Sequence, residues 1–454
     1  MKIVIVGADA AGMSAASQAK RLNPKAQVLV LEKTGDVSYG ACGLPYKLLD
    51  NQNVEDLQVI SPADFRDKRG IDLRLGHEVV GIDREKSEVY GRNDTGSFKE
   101  TYDKLLIATG AEVNVPPIPG LGQLMYDKAW PLKTLQDGRF WKAALREKPQ
   151  RAVIIGGGYI GLEAADNLRT QGLEVTLVEA LPDVMLRLPA EFRARIHETA
   201  EGKGVIIKTN ARVTRMEKDV DRVVHINVGD EELLADIVLL ATGITPASKI
   251  AEKAGLELNP RGAITVNEFL QTSDVNIYSA GDCADAVHLV TGNSTWIPLA
   301  LRANRAGKTA GANMCGKQQK IPPVAGTAAF LFFDQEIAMT GLSEEEAGIA
   351  GFDPISVAIK SATKAHYMPG HEKLLAWLLA DKTTGRILGG ALMGSDGAAH
   401  RIDTIATALA TEMTVEQLYD LDLMYAPPFG PSWSPFLIAA SALNRVISNS
   451  DHPR

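Results

Sequence analysis

Cys42 is the residue whose type and setting point first to chemistry. It lies in Ser38-Tyr-Gly-Ala-Cys-Gly-Leu-Pro-Tyr46, a glycine-bracketed loop. A helix beginning over Leu44–Leu49 would place Cys42 at its N-terminus, where free N–H groups and the helix dipole favour the thiolate that attacks sulfur or changes oxidation state. Cys283 and Cys315, which lack such a setting, are expected to be buried, inert thiols. A second kind of chemistry, binding of a pyrophosphate, is written twice in glycine. In Gly156-Gly-Gly158-Tyr-Ile160-Gly161 the first Gly permits a tight turn, the second lets the backbone approach phosphate, and the third lets helix pack on strand. The earlier copy, Gly7-Ala-Asp-Ala-Ala-Gly12, carries Asp9 at the second position, where a carboxylate must point away from phosphate or be neutralised. Glu32 and Glu179 stand where a dinucleotide fold places the acid that accepts from ribose hydroxyls.

These groups are positioned by strands and helices that the hydrophobic pattern marks out. Ile3 to Val6 runs into the first turn and a small-residue helix, and Val28 to Leu31 ends in Glu32. Ala152 to Ile155, the second turn, and Val175 to Val178 before Glu179 repeat the arrangement. Each copy closes on an apolar strand and an Ala-Thr-Gly tripeptide, Ala108-Thr109-Gly110 and then Ala241-Thr242-Gly243, so the chain contains an internal duplication. A further strand, Asn276 to Gly281, ends in Asp282, either a turn residue or a grip on a polyol; the duplication favours the grip. Val115-Pro-Pro-Ile-Pro-Gly120 looks like a connection, and Ile321-Pro-Pro323 opens a tail. In that tail, β-rich runs (328–333, 355–359, 374–379 and 387–393) precede a helical stretch over 401–412, with no third glycine turn.

Length and composition narrow the rest. The 454 residues are enough for about three domains, and 45% hydrophobic content supports a large core. The net charge of -8, without a long basic run, argues against nucleic acid. Three cysteines without a CxxC pair exclude a disulfide framework and a zinc site, so no metal is expected, and a reducing cytoplasm fits best. No run of about 18 uncharged apolar residues suggests a membrane span.

Together these residues resemble the flavin-dependent pyridine nucleotide disulfide oxidoreductases over nearly the whole chain. The resemblance implies an α/β fold with two Rossmann-like doubly wound nucleotide-binding domains and an α+β C-terminal dimerisation domain. FAD is then expected on residues 1–112 and 244–320, NADH (with NADPH as the alternative donor) on 113–243, and dimerisation through 321–454. It further implies FAD contacts from Gly7, Gly12, Glu32, Lys33, Ala108, Thr109, Gly110 and Asp282. Contacts to the nicotinamide nucleotide are implied for Gly156, Gly158, Ile160, Gly161, Glu179 and Gly243, with Tyr159 and Glu163 beside nicotinamide and flavin. Glu179 favours NADH, because it repels a 2'-phosphate and no Arg or Lys directly follows it.

Members with a CxxxxC pair would need a second Cys at position 47, which is Lys47, and the C-terminal His-Pro…Glu base is missing, so their activities are disfavoured. The Cys42 segment looks like the single-cysteine branch, in its coenzyme A disulfide reductase and NADH persulfide reductase form. In that group Ser14, Gln18, Arg21 and Ser38 match coenzyme A contacts. Tyr367 and Tyr425 match tyrosines that reach the redox cysteine of the partner subunit. The implied reaction passes hydride from NADH to flavin while Cys42 attacks a coenzyme A disulfide or persulfide, and Tyr425 or Tyr367 protonates the leaving thiolate. Ala41 and Trp433 depart from one subgroup's pattern. Two rivals remain: an NADH oxidase or peroxidase cycling Cys42 through sulfenate, and a non-catalytic NADH-responsive flavoprotein sensor.

Overall fold

The computed structural model describes residues 1–49 and 52–451. Lys2–Val6 is the middle strand of an all-parallel five-stranded sheet. Gln27–Leu31 and Asp72–Arg74 lie on one side of it, and Lys104–Ile107 and Ile277–Ser279 on the other. Its inner strands are unbroken apolar runs, Ile3, Val4 and Ile5 being fully buried, as expected where helices cover both faces. Helix α1 (Ala10–Leu22) follows the first strand.

A second parallel sheet repeats this order in four strands, Val205–Lys208, Glu174–Val178, Arg151–Ile155 and Ile237–Leu240, while its outer strand Ala129–Pro131 precedes the others in the chain where Ile277–Ser279 follows them. Helix α2 (Leu135–Arg146) precedes its central strand and α3 (Tyr159–Thr170) follows it. The repetition extends to antiparallel three-stranded meanders over residues 78–101 and 213–235, which periodicity did not mark out. Between the sheets the chain crosses twice, and the crossings pair with each other, Ala111–Val113 against Ile244–Pro246. They are braced reciprocally: the Thr109 hydroxyl donates to the Ala247 carbonyl at 2.6 Å, and the Thr242 hydroxyl to that of Asn114 at 2.5 Å.

Helix α4 (Ala300–Met314) returns to the first sheet and lies across α1. A Cβ on Gly307 would come within 2.1 Å of the Ala11 carbonyl oxygen, so the two backbones nearly touch. The C-terminal part is an antiparallel five-stranded sheet in the order Ala328–Phe332, Gln335–Gly341, Ile387–Gly394, Lys373–Asp381, Pro354–Ala362. Gln335–Gly341 was not expected, nor was the long helix Pro435–Asp451 packed on the sheet. The helical stretch expected over 401–412 is α-helical only over Ile402–Ala410. Among the described residues no helix is long and apolar enough to cross a membrane.

Candidate active site

Both glycine turns are built by the same backbone device. Gly7 has φ +106° and Gly156 φ +115°, a conformation that strains any side chain. A Cβ at Gly12 would lie 1.9 Å from the Gly7 oxygen, and one at Gly161 2.1 Å from the Gly156 oxygen, so each helix can close on its strand only without one. Neither Asp9 nor Gly158 caps its helix with a side chain, which leaves the first-turn N–H groups for an anion. Glu32 accepts from the N–H groups of Ala8 (2.9 Å) and Thr34 (2.8 Å). Glu179 does the same with Gly157 (2.6 Å) and Leu181 (2.8 Å). Each acid is thereby locked at its strand end. A methyl at Gly158 would meet nothing within 4 Å, so the second turn faces open space.

Over the first turn lies a cavity of about 470 Å³ that holds Cys42, Asp9 and Asp282 and extends past Ser14, Ser17, Gln18 and Arg21 of α1 to Arg69 and Lys308. Ala108 and Gly110 line it as well. The Cys42 loop is tied down to the turn by two bonds, Ser38 N–H to the Ala8 oxygen (3.0 Å) and Tyr39 N–H to Asp9 Oδ1 (3.2 Å). The Asp9 carboxylate thus turns toward the loop, and burial pushes its pKa up to about 6 against the opposing pull of that N–H and of Lys133. Burial also raises Asp282, and Lys133 again opposes it. Lys133 is a site residue that the sequence did not yield. It stands just before the capping box in which Thr134 and Asp137 start α2, a signature that marks the helix start but not where the lysine points.

The expected helix over Leu44–Leu49 is a correction. Ala41–Gly43 and Pro45–Leu48 are two short 3₁₀ turns, and the backbone leaves the helical region at Leu49, with ψ 143°, so no second turn forms. The thiol environment is corrected with it. Although solvent reaches Cys42, the cavity walls push its pKa up, and the carboxylates of Glu163 and Asp282 push it further in the same direction. No thiolate is stabilised by a helix end in this form of the chain.

Other expected residues fall into three places. Ser14 and Ser38 sit in the Cys42 cavity, the Ser14 hydroxyl donating to Asn304 (2.8 Å); Gln18 and Arg21 lie at its rim, joined by a 2.8 Å hydrogen bond. Thr109 spends its hydroxyl on the Ala247 carbonyl, Lys33 is exposed, and Gly243 sits at the crossing. Tyr159 and Ile160 open α3 at the second turn. Glu163, one turn further, is buried and accepts from the Tyr46 hydroxyl at 2.5 Å; burial lifts its pKa to about 7. Tyr367 and Tyr425 lie apart from the Cys42 cavity of their own chain, with their hydroxyls 3.4 Å from each other. Hydrogen bonds from Ser432 and Tyr367 lower the pKa of Tyr425, while the bond to Tyr425 raises that of Tyr367. Around them Met424, Phe429 and Trp433 are exposed, and Trp433 stacks on Tyr419 at 5.9 Å. Cys283 is fully buried against the Ile107 carbonyl, and Cys315 is partly buried beside that of Ala19.

Residues 1–307 match the family model of the pyridine nucleotide-disulphide oxidoreductases, and residues 327–435 match the dimerisation domain of the same family. An NAD(P)H coenzyme A polysulfide/persulfide reductase of Pyrococcus horikoshii is 38% identical over 443 residues, 97% of this chain and 98% of that protein. An NADH oxidase of Methanocaldococcus jannaschii is 30% identical over 453 residues, 99% of this chain and 100% of that one. Among solved structures, an NAD-dependent persulfide reductase from A. fulgidus superposes with a TM-score of 0.94 at 34% identity, covering 99% of this chain and 84% of that one.

Proposed function

Since the chain belongs to the pyridine nucleotide-disulphide oxidoreductases, FAD-dependent enzymes that use NAD(P)H, we propose that it reduces a coenzyme A disulfide, persulfide or polysulfide at Cys42. The observation that carries this reading is the cavity in which the only exposed cysteine sits over the first glycine turn, with Arg21, Arg69 and Lys308 also in its wall. Those three cations suit a phosphate-bearing thiol, whose sulfur end reaches Cys42 while its phosphates stay near solvent.

In this reading the sheet around Lys2–Val6, formed from residues 1–112 and 244–320, holds FAD. The first turn and α1 meet its pyrophosphate, Glu32 its ribose, and Asp282 its polyol, while Lys133 offsets the negative charge beside Asp9. Residues 113–243 hold the nicotinamide nucleotide. Glu179 there accepts from a 2'-hydroxyl and repels a 2'-phosphate, so NADH is preferred. Bound FAD supplies the two-electron path from NAD(P)H to sulfur.

Cys42 performs the sulfur step. Its thiolate attacks one sulfur of the substrate S–S bond, a new S–S bond forms to Cys42, and the other sulfur leaves with the electron pair as thiolate or hydrosulfide. Tyr425 from a second copy of the chain, more acidic than an ordinary phenol, gives the leaving sulfur its proton, with Tyr367 behind it. The exposed apolar side chains Met424, Phe429 and Trp433 are the surface that the second copy covers. Two electrons, the only ones the exchange requires from outside, then cleave the mixed disulfide, releasing the retained half of the substrate as its thiolate and restoring the Cys42 thiolate.

The test is the mass of the small thiol that dithiothreitol releases from purified oxidised protein, together with anaerobic thiol production from coenzyme A disulfide. Release of coenzyme A supports the reading. Oxygen or peroxide consumption without thiol production favours the second reading, an oxidase cycling Cys42 through sulfenate, for which the likeness to the M. jannaschii NADH oxidase speaks.

A further inference from the structure

The Cys42 loop and α3 belong to the first and the second of the two duplicated halves, and beside their apolar packing a side-chain hydrogen bond joins them. Tyr46 lies in the 3₁₀ turn just beyond Cys42, and Glu163 lies on the helix that starts at the second glycine turn. The Tyr46 hydroxyl donates to Glu163 Oε1 at 2.5 Å. Glu163 is only 7% exposed, so its carboxylate has little freedom to turn elsewhere.

We propose that Tyr46 is a positioning residue that couples the thiol loop to the second nucleotide helix by holding the Glu163 carboxylate at their junction. The inference rests on the assignment of Cys42 to the sulfur side and of α3 to the nicotinamide side, and it extends that assignment to how one side senses the other.

The electrostatics agree with the geometry. The ionisable groups facing Glu163 are Tyr46 and Cys42 from the loop, and Tyr159 and Asp166 from its own helix. Beyond Asp166 stand Asp334 and Lys203. Among the described residues no cation acts on Glu163 itself, so burial, with Asp166 adding to it, raises its carboxyl to about 7 and the Tyr46 hydrogen bond is the influence pulling it back down. A thiol substrate that shifts the loop shifts this proton affinity. The nicotinamide side then meets a neutral rather than an anionic side chain near physiological pH.

The experiment is an infrared pH titration of protonated carboxyl in the holoenzyme, paired with stopped-flow flavin reduction by NADH without thiol substrate. Wild type is expected to show a carboxyl midpoint and a rate inflection near pH 7. Tyr46→Phe moves both upward by about half a unit to one unit, because it removes a donor to the charged form. Glu163→Gln abolishes both. Tyr46→Leu repeats the test should the Phe variant not fold. A carboxyl midpoint unmoved in the tyrosine variants, or a titration that survives Glu163→Gln, overturns the proposal. Because no thiol substrate enters, its failure is separate from that of the sulfur reading, which falls only if Cys42→Ser keeps producing thiol.

Discussion

The two glycine turns share a positive-φ leading glycine, Gly7 at +106° and Gly156 at +115°, yet their surroundings differ. At the first, Ala8 is 1% exposed, Asp9 fills the position of the middle glycine, and α4 presses on α1 through Gly307. At the second, a Cβ on Gly157 would collide with Val184, Gly158 faces open space, and Tyr159 is 42% exposed. The same cradle thus faces a walled cavity in one copy and open space in the other. The turns are alike, and what packs around them differs. A covered turn suits a retained cofactor and an open one suits a nucleotide that arrives and leaves each cycle.

The sharpest way to break this comparison is to remove the chemistry from one side only. Cys42→Ser is expected to lower thiol production by at least roughly 10³-fold while NADH still reduces the flavin at an ordinary rate, because hydride arrives through the open copy. Stopped-flow absorbance and thiol assay on the same preparation separate the two halves. Loss of both would mean that the sides are not distinct.

Next in size is the leaving group. Tyr425→Phe should slow coenzyme A disulfide turnover by about 10²-fold and persulfide turnover less, since hydrosulfide leaves with less need of a proton. Tyr367→Phe controls for packing. Equal small losses on both substrates would assign the pair to packing alone.

The open copy can be sharpened through its acid. Glu179→Gln keeps an acceptor for Gly157 N–H but removes the charge, and should raise kcat/KM for NADPH about 10-fold relative to NADH. An unchanged ratio would remove Glu179 from cofactor choice.

The smallest effect concerns the covered copy. Asp9 is raised from 3.8 to about 6, so its contribution to stability is full below pH 3.8 and is lost as pH rises through 6. Asp9→Asn should therefore raise Tm by about 2 to 4 °C at pH 8 and by little at pH 4, read by scanning calorimetry. An equal change at both pH values would mean that Asp9 acts through shape rather than charge.

How much of this was legible depends on the range of each signal. Gly7, Gly12, Gly156 and Gly161 and the runs Ile3–Val6 and Ala152–Ile155 act over a few residues, so they disclosed both turns and the duplication. Gln335–Gly341 escaped because its alternation is weak and its place comes from Ile387–Gly394, which pairs with it from far along the chain. The helix considered over Leu44–Leu49 is instead a short 3₁₀ turn, because so brief a segment carries no period that separates one turn of helix from several.

The sequence by itself determined the two glycine turns, the acids at their strand ends, the loop that carries Cys42 and the family, because steric demands on glycine and apolar burial are local and leave local traces. The tertiary structure alone decided the acidities and the alliances. Glu163 opposes ionisation of Cys42 across 121 positions of chain, Lys133 reaches Asp9 from before α2, and Tyr46 is joined to α3. Coulomb forces and desolvation depend on distance and burial in space, and neither quantity is written in the order of residues.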